Sequence, residues 1–270
     1  KAVEALLELA GFMKKKPSLI AIVGLPLLLK NSLYNVAAVI SHEGVLGFVP
    51  KTYIPNNNEF YEKRWFAGSR DLNDFFVEIN GESIPVSSDG MIFHTPFASF
   101  GIEICEDLWM PVPPSSKLAM QGADIIFNLS ASNELVGKNA YRKSLVLQQS
   151  GRCNAAYVYA SAGCGESSTD LVFSGAATIA ENATLLAEGK RFSLDNEMII
   201  SDIDVVALRG DRLKNSNFIP PQEESVSEIE CALEAVSTGK WYRKFNPYPF
   251  IPSPEKEDEY LKAVNEFLKK

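Results

Sequence analysis

The hydrophobic pattern at the start of the chain predicts an amphipathic helix that is followed by several short apolar strands. Residues 1–14 place apolar side chains at mixed three- and four-residue spacing, which predicts a helix that Pro17 ends. Residues 19–24 form a continuous apolar run, typical of a strand buried on both faces. Residues 34–40 and 45–49 flank a short turn, so they predict a β-hairpin.

The same alternation continues over about 210 residues and indicates a layered α/β fold. It predicts helices at 114–121 and 138–152. It predicts strands and hairpin strands at 75–77, 91–93, 98–105, 123–130, 155–161, 172–180, 184–188 and 198–206. Strands, hairpins and helices in this order favour two stacked sheets that are covered by helices.

The C-terminal region has a different composition. Residues 216–254 are rich in proline and glutamate, which is typical of an extended surface segment or linker. Residues 255–270 predict one last helix. We therefore expect a globular domain at 1–215, an extended linker at 216–254 and a helix at 255–270.

Composition and charge exclude several classes of protein. Of the 270 residues, 46% are hydrophobic and 22% are charged, which is ordinary for a globular chain. The net charge is −8 and no basic stripe is visible, so we expect no nucleic-acid partner. No apolar stretch approaches the ~20 residues that span a bilayer, so we expect no membrane partner.

Cysteine and histidine usage argues against a metal site. The two histidines and four cysteines fit neither a CxxC motif nor a zinc pattern. The cysteines also form no disulfide-like framework, which favours a reducing cytoplasm. We expect core positions for Cys153 and Cys164, and place Cys231 in the C-terminal segment.

The most informative window is residues 101–109, Gly-Ile-Glu-Ile-Cys-Glu-Asp-Leu-Trp. The predicted strand ends at Cys105, which enters a sharp turn; acidic residues flank the cysteine and Trp109 follows them. A nucleophilic thiolate needs such a mouth position, a nearby cation and a proton acceptor. Most free cysteines are small buried hydrophobes instead, so residue type alone leaves both interpretations open.

This window and further blocks, in order along the chain, resemble the nitrilase superfamily of carbon–nitrogen hydrolases. Within that superfamily they look like the glutaminase domains of glutamine-dependent NAD synthetases, over about residues 1–250. The blocks lie at 51–55, 59–66, 103–109, 128–134, 141–142, 149–150, 155–160 and 165–170. The resemblance implies a four-layer α-β-β-α sandwich, whose first strand is expected before Lys1.

The resemblance also implies a catalytic group. Cys105 matches the nucleophile, which forms a γ-glutamyl thioester, and Lys51 matches the lysine that stabilises the developing oxyanion. The general base of the family is a glutamate in a Phe-Pro-Glu segment, which is expected before Lys1. Glu62 matches a second, acidic position near the site in the family, and Glu106 directly follows the nucleophile. We expect either of them to orient Lys51 or to bind substrate, and neither to be the general base.

Three further residues match substrate positions of the family. Ser132 and Lys138 fall where the relatives contact the amino-acid end of glutamine. Asn57 falls where many relatives have a tyrosine that touches glutamine. Glu166 and Asp170 lie in a block that borders the site, and structural hydrogen bonding is an equally good interpretation of both.

The resemblance implies L-glutamine as substrate and no metal or cofactor for its hydrolysis. ATP and Mg²⁺ would serve only a C-terminal NAD synthetase domain, the expected partner, and we expect a homo-oligomer. Two alternatives stay open at this point. One is a stand-alone amidase of the same superfamily, and the other is an inactive domain that serves as an assembly surface.

Overall fold

Two β-sheets with helices on their outer faces form the fold in the computed structural model. The structure describes residues 1–73, 75–166, 170–220, 226–237, 239–243, 245 and 254–269. The helices are α1 (Ala2–Met13), α2 (Pro114–Met120), α3 (Lys138–Arg152), α4 (Val205–Lys214) and α5 (Pro254–Leu268). Single 3-10 turns occur at Glu62–Arg64, Ser69–Asp71 and Cys105–Trp109.

The first sheet has five strands in the order β1-β2-β3-β5-β4. Their bounds are β1 (Ala21–Leu29), β2 (Ser32–Ser41), β3 (Gly44–Pro50), β4 (Phe75–Ile79) and β5 (Glu82–Val86). Strands β1 to β3 form an antiparallel meander, and β3 pairs in parallel with β5. The predicted hairpin is therefore confirmed as β2 and β3.

The second sheet has seven strands in the order β11-β10-β9-β8-β7-β6-β12. Their bounds are β6 (Met91–His94), β7 (Ser99–Ile104), β8 (Ile125–Ser130), β9 (Ala156–Ser161), β10 (Ala177–Glu181), β11 (Thr184–Glu188) and β12 (Ser227–Glu230). Strands β7, β8 and β9 are parallel neighbours. Their carboxyl ends consequently lie along one edge of the sheet, where α/β proteins place their binding sites.

Side chains alternate between two buried faces along β2. Val36, Ala38 and Ile40 join the core beneath α1, whereas Ala37 and Val39 face the second sheet. Each valine or isoleucine side chain buried in this way contributes roughly 1.5–3 kcal/mol relative to exposure. Such burial on both faces explains why residues 36–40 are apolar without interruption.

Three cores separate four layers. One core lies between α1 and the first sheet, and a second lies between the two sheets, around Phe93 and Ile102. The third lies between the second sheet and helices α2 and α3, around Leu118 and Val146. Gly101 lets α2 approach β7 closely, because a Cβ there would lie only 2.9 Å from Leu118 Cδ1. The predicted α/β fold with two sheets and covering helices is confirmed.

Two predicted strands differ from the structure. The strand expected at 19–24 runs instead from Ala21 to Leu29 and contains Pro26, which an edge strand tolerates. The strand expected at 198–206 is wrong, because α4 begins at Val205 within that range. Asp204 starts this helix, since its Oδ1 accepts a hydrogen bond from the Ala207 N–H at 2.9 Å.

Part of the expected linker at 216–254 belongs to the folded domain. Residues 227–230 form β12, which pairs in parallel with β6. Cys231 follows directly and is buried between the sheets. The predicted C-terminal helix is present as α5. Within the described ranges, no helix is both long enough and apolar enough to cross a membrane.

Candidate active site

A cavity of about 1090 Å³ opens at the edge where β7, β8 and β9 end. Its walls come from the last residues of these strands and the residues that follow them, together with residues 22–26 of β1, Asn35 and Val36 of β2, and the loop after β3. The structure brings all the predicted site residues into this one cavity: Lys51, Asn57, Glu62, Cys105, Glu106, Ser132 and Lys138. Glu166 also lines it, whereas Asp170 is exposed outside the described lining.

Cys105 is held in an unusual backbone conformation. It is the first residue after β7 and opens a 3-10 turn, with a φ of 49°. A left-handed φ is strained for a residue with a Cβ and persists only where the surrounding structure imposes it. The backbone N–H of Cys105 donates to Asn128 Oδ1 at 3.1 Å. This turn leaves the thiol partly exposed, in the lining of the cavity.

A buried polar network supports Asn128 beneath the cysteine. Asn128 Nδ2 donates to the Tyr157 hydroxyl at 3.0 Å, and that hydroxyl donates to Glu103. Glu103 also accepts from the Ser115 N–H at 2.8 Å, at the start of α2. Burial raises the pKa of Glu103, and the hydrogen bond from Tyr157 opposes this shift. The network ties three parallel strands and a helix to the backbone of Cys105.

The side chain of Lys51 places an ammonium group at the site. It follows β3 directly, its side chain is only 3% exposed, and its Nζ lies 2.5 Å from Glu62 Oε2. Asn35 on β2 fixes both partners, because its carbonyl accepts from the Lys51 N–H at 2.8 Å and its Nδ2 donates to Glu62 Oε1 at 2.9 Å. The bond to Glu62 therefore holds the buried ammonium group of Lys51 in one position.

Asp107 connects the lysine segment to the cysteine turn. Its buried carboxylate accepts from the Tyr53 N–H at 2.8 Å and from the Ile104 N–H at 2.9 Å. Tyr53 stands two residues after Lys51, and Ile104 stands directly before Cys105. Burial raises the pKa of Asp107 to about 7. One side chain therefore fixes the distance between the two strand ends that carry Lys51 and Cys105.

Glu106 adds a second carboxyl group to the cavity. Burial raises its pKa, while the positive charges of Lys51 and Lys138 oppose the shift. Both lysines therefore favour the ionised form of this partly buried acid. Both carboxylate oxygens of Glu62, in contrast, already accept hydrogen bonds, one from Asn35 and one from Lys51.

A second pair of opposite charges, Lys138 and Glu59, also lines the cavity. Lys138, the first residue of α3, has its Nζ 5.5 Å from the ring centre of Phe60 and 5.3 Å from that of Trp109. Nζ donates to Asn133 Oδ1 at 2.6 Å, and Asn133 Nδ2 donates to Glu59 Oε1 at 2.6 Å. Burial lowers the pKa of Lys138, whereas Glu59 and Cys105 raise it. Glu59, Phe60 and Trp109 all line the cavity.

The remaining thiols lie outside this cavity. Cys153 is buried as predicted, but the core position expected for Cys164 is wrong, because this thiol is exposed and donates to the Ser193 carbonyl. Burial raises the pKa of Cys153 and of Cys231 to about 12. Across the described ranges, no group of three or more His, Cys, Asp or Glu side chains is placed to hold a metal ion.

Several residues of the site were not given a role from the sequence. Asn128 and Asn133 stood inside a block of the resemblance, and so did Glu59, so the motif contained the information that locates them. Asn35 stood in none of the blocks and had no recognisable pattern. Its position opposite the end of β3 follows only from strand pairing.

The two-sheet architecture, with a cysteine and a lysine at strand ends in one cavity, defines a class of protein. The family model described as carbon-nitrogen hydrolase matches residues 2–212. The chain belongs to this carbon–nitrogen hydrolase family.

Its relatives are more specific. The chain is 38% identical over 244 residues to the glutamine-dependent NAD(+) synthetase of Mycobacterium tuberculosis, covering 87% of this chain and 36% of that protein. It is 30% identical over 263 residues to the enzyme of the same name from Saccharomyces cerevisiae, covering 90% and 36%. The solved glutamine-dependent NAD(+) synthetase of Cytophaga hutchinsonii superposes with a TM-score of 0.63 at 27% identity, covering 72% of this chain and 31% of that one. The chain thus spans about a third of the length of these proteins.

Proposed function

We propose that this chain hydrolyses the side-chain amide of L-glutamine, with Cys105 as the nucleophile, and that the ammonia serves an NAD synthetase domain. The observation that carries the proposal is the placement of Cys105 and the Lys51–Glu62 pair in one cavity. The names of the relatives support glutamine as the amide and NAD synthesis as the use of the ammonia.

The chemistry is acyl transfer in two steps. The sulfur of Cys105 attacks the amide carbon and the C–N bond breaks, which leaves a γ-glutamyl thioester and ammonia that carries the thiol proton. Water then attacks the thioester carbon, so glutamate leaves and the thiol is regenerated. By resemblance, a glutamate of the Phe-Pro-Glu segment relays the protons, and Glu62 holds Lys51 in place.

Lys51 stabilises the charge that develops on the amide oxygen. A fixed donor at this point contributes about 3–4 kcal/mol to the transition state in related chemistry. The Lys51 ammonium suits that role because Glu62 and Asn35 hold it in one orientation before substrate arrives. The strained turn at Cys105 similarly fixes the nucleophile in advance.

The test is ammonia release from L-glutamine by the full-length natural protein. Cys105→Ala should abolish it, whereas Cys164→Ala, the matched control on an exposed thiol, should leave it unchanged. Ammonia release that persists in Cys105→Ala contradicts the proposed nucleophile. In the same protein, Cys105→Ala should block NAD formation from glutamine but not from ammonium salts.

A panel of amides separates the two alternatives. A stand-alone amidase would hydrolyse simple aliphatic amides faster than glutamine, and an inactive assembly domain would hydrolyse none of them. Preference for L-glutamine supports the proposal, and either other result overturns it.

A further inference from the structure

Lys138, Glu59 and Asn133 together have the form of a receptor for a free amino acid. Lys138 and Glu59 carry opposite charges and both line the cavity that holds Cys105. Each bonds the amide group of Asn133, which lies between them and is 2% exposed. A simple amide offers neither charge a partner, whereas an α-amino acid carries a carboxylate and an ammonium on one carbon.

The orientation of Asn133 is fixed by its partners. An ionised glutamate only accepts hydrogen bonds and a lysine ammonium only donates them, so the amide oxygen must face Lys138 and the nitrogen must face Glu59. Hydrogen bonds from its own backbone N–H and from Asn133 lower the pKa of Glu59, which keeps this group negative. The spacing between cation and anion is therefore set before any ligand binds.

We infer that Glu59 is the acceptor for the α-ammonium group of the substrate, opposite Lys138 at the α-carboxylate, and that Asn133 positions the two. The inference rests on the proposed function and extends it, since it makes Glu59 the residue that separates amino-acid amides from other amides. Lys138 contacts the rings of Phe60 and Trp109. To form a direct ion pair with Glu59 it would have to give up both aromatic contacts and its hydrogen bond to Asn133.

Substrate analogues with one charge removed test this role. Glutaramic acid keeps the carboxamide and the carboxylate of glutamine but has no ammonium, and 4-aminobutanamide keeps the ammonium but has no carboxylate. In the full-length natural protein, Glu59→Gln should lower kcat/KM for L-glutamine about 10–100-fold, because a charge-assisted contact is lost. It should leave kcat/KM for glutaramic acid unchanged, and that turnover also reports that the variant is folded.

Two variants serve as comparisons. Glu59→Asp keeps the charge and should retain more glutamine turnover than Glu59→Gln. Glu188→Gln removes a negative charge from a surface ion pair with Lys143. It should change kcat/KM for neither L-glutamine nor glutaramic acid. The inference is overturned if Glu59→Gln lowers turnover of glutamine and glutaramic acid equally, or of neither. If the wild type releases ammonia from glutaramic acid but not from glutamine, the proposed function and this inference both fail.

Discussion

The backbone N–H of Cys105 donates a hydrogen bond to the side-chain oxygen of Asn128, with 3.1 Å between nitrogen and oxygen. The same oxygen accepts from the Ser130 hydroxyl at 2.7 Å, and the amide nitrogen donates to Tyr157. These partners fix the orientation of Asn128 completely. The strained φ of Cys105 is therefore held by a side chain on the neighbouring parallel strand, below the described lining of the cavity.

We expect Asn128→Leu to lower kcat for the proposed glutamine hydrolysis about 10–100-fold with little change in KM, because the proposed nucleophile Cys105 loses the bond that orients its backbone. The variant also leaves the Tyr157 hydroxyl without one partner, which lowers the free energy of unfolding by about 1–3 kcal/mol. Steady-state ammonia release and urea unfolding measure the two effects separately.

Tyr157→Phe is the matched control for this prediction. It disturbs the same network next to Glu103 but leaves the bond between Asn128 and Cys105 in place. It should cost a similar free energy of unfolding, yet lower kcat by about threefold at most. Equal losses of kcat in both variants would mean that the network acts only through stability.

Variants of the Lys51–Glu62 pair should distinguish an effect on activity from an effect on stability. Lys51→Met should lower kcat at least about 100-fold through loss of the oxyanion cation. It should also lower the free energy of unfolding by about 1–3 kcal/mol, because Glu62 keeps a charge without its partner. Adding Glu62→Gln to Lys51→Met should restore stability and not activity. Recovery of activity in the double variant would argue against the oxyanion role.

The four thiols should react in a fixed order. A chloroketone analogue of glutamine should label Cys105 alone, since only this thiol lies in the cavity, and iodoacetamide should also label the exposed Cys164. Cys153 and Cys231 should stay unlabelled at pH 8, because with a pKa of about 12 only on the order of 1 in 10⁴ of each thiol is ionised. Peptide mapping by mass spectrometry checks this order. Labelling of Cys231 before Cys164 in folded protein would contradict it.

Asp107 should make stability depend on pH. Burial raises its pKa from 3.8 to about 7, so the folded state keeps a proton that the unfolded chain releases near pH 4. Its contribution to stability is therefore complete below about pH 4 and is lost as the pH rises through 7. Between about pH 5.5 and 7.5, the free energy of unfolding should fall more steeply in wild type than in Asp107→Asn, by roughly 1 kcal/mol per pH unit. Urea unfolding at several pH values tests this, and parallel profiles would refute it.

The sequence predicted the architecture and the site more reliably than it predicted the supporting contacts. Apolar runs and their periodicity located β2, β3, β8 and α3, because both faces of these elements or one whole stripe must be buried. The residues at strand ends stood in ordered motifs, and the structure places them in one cavity. Their catalytic roles remain predictions.

What the sequence did not predict depends on long-range partners. Asn35 and Asp107 make their contacts with residues distant in the chain, Glu62 for Asn35 and Tyr53 for Asp107, so their local pattern does not show which groups they bind. The strand at 227–230 is short and alternates polar and apolar residues within a proline-rich region, so only its pairing with β6 identifies it.

The pairing of β12 with β6 has a consequence for synthesis of the protein. The ribosome adds Ser227 roughly 135 residues after its partner Met91, which at ordinary elongation rates takes on the order of ten seconds. During that interval the backbone groups of β6 on this side have no strand to pair with. The residues after β12 then also bond the N-terminal part of the chain. The Ala232 N–H donates to Glu43 in the turn between β2 and β3, and the Glu234 N–H donates to the Pro17 carbonyl after α1. The nascent chain is therefore open to unwanted strand pairing, and to holding by chaperones, until the β12 segment leaves the ribosome.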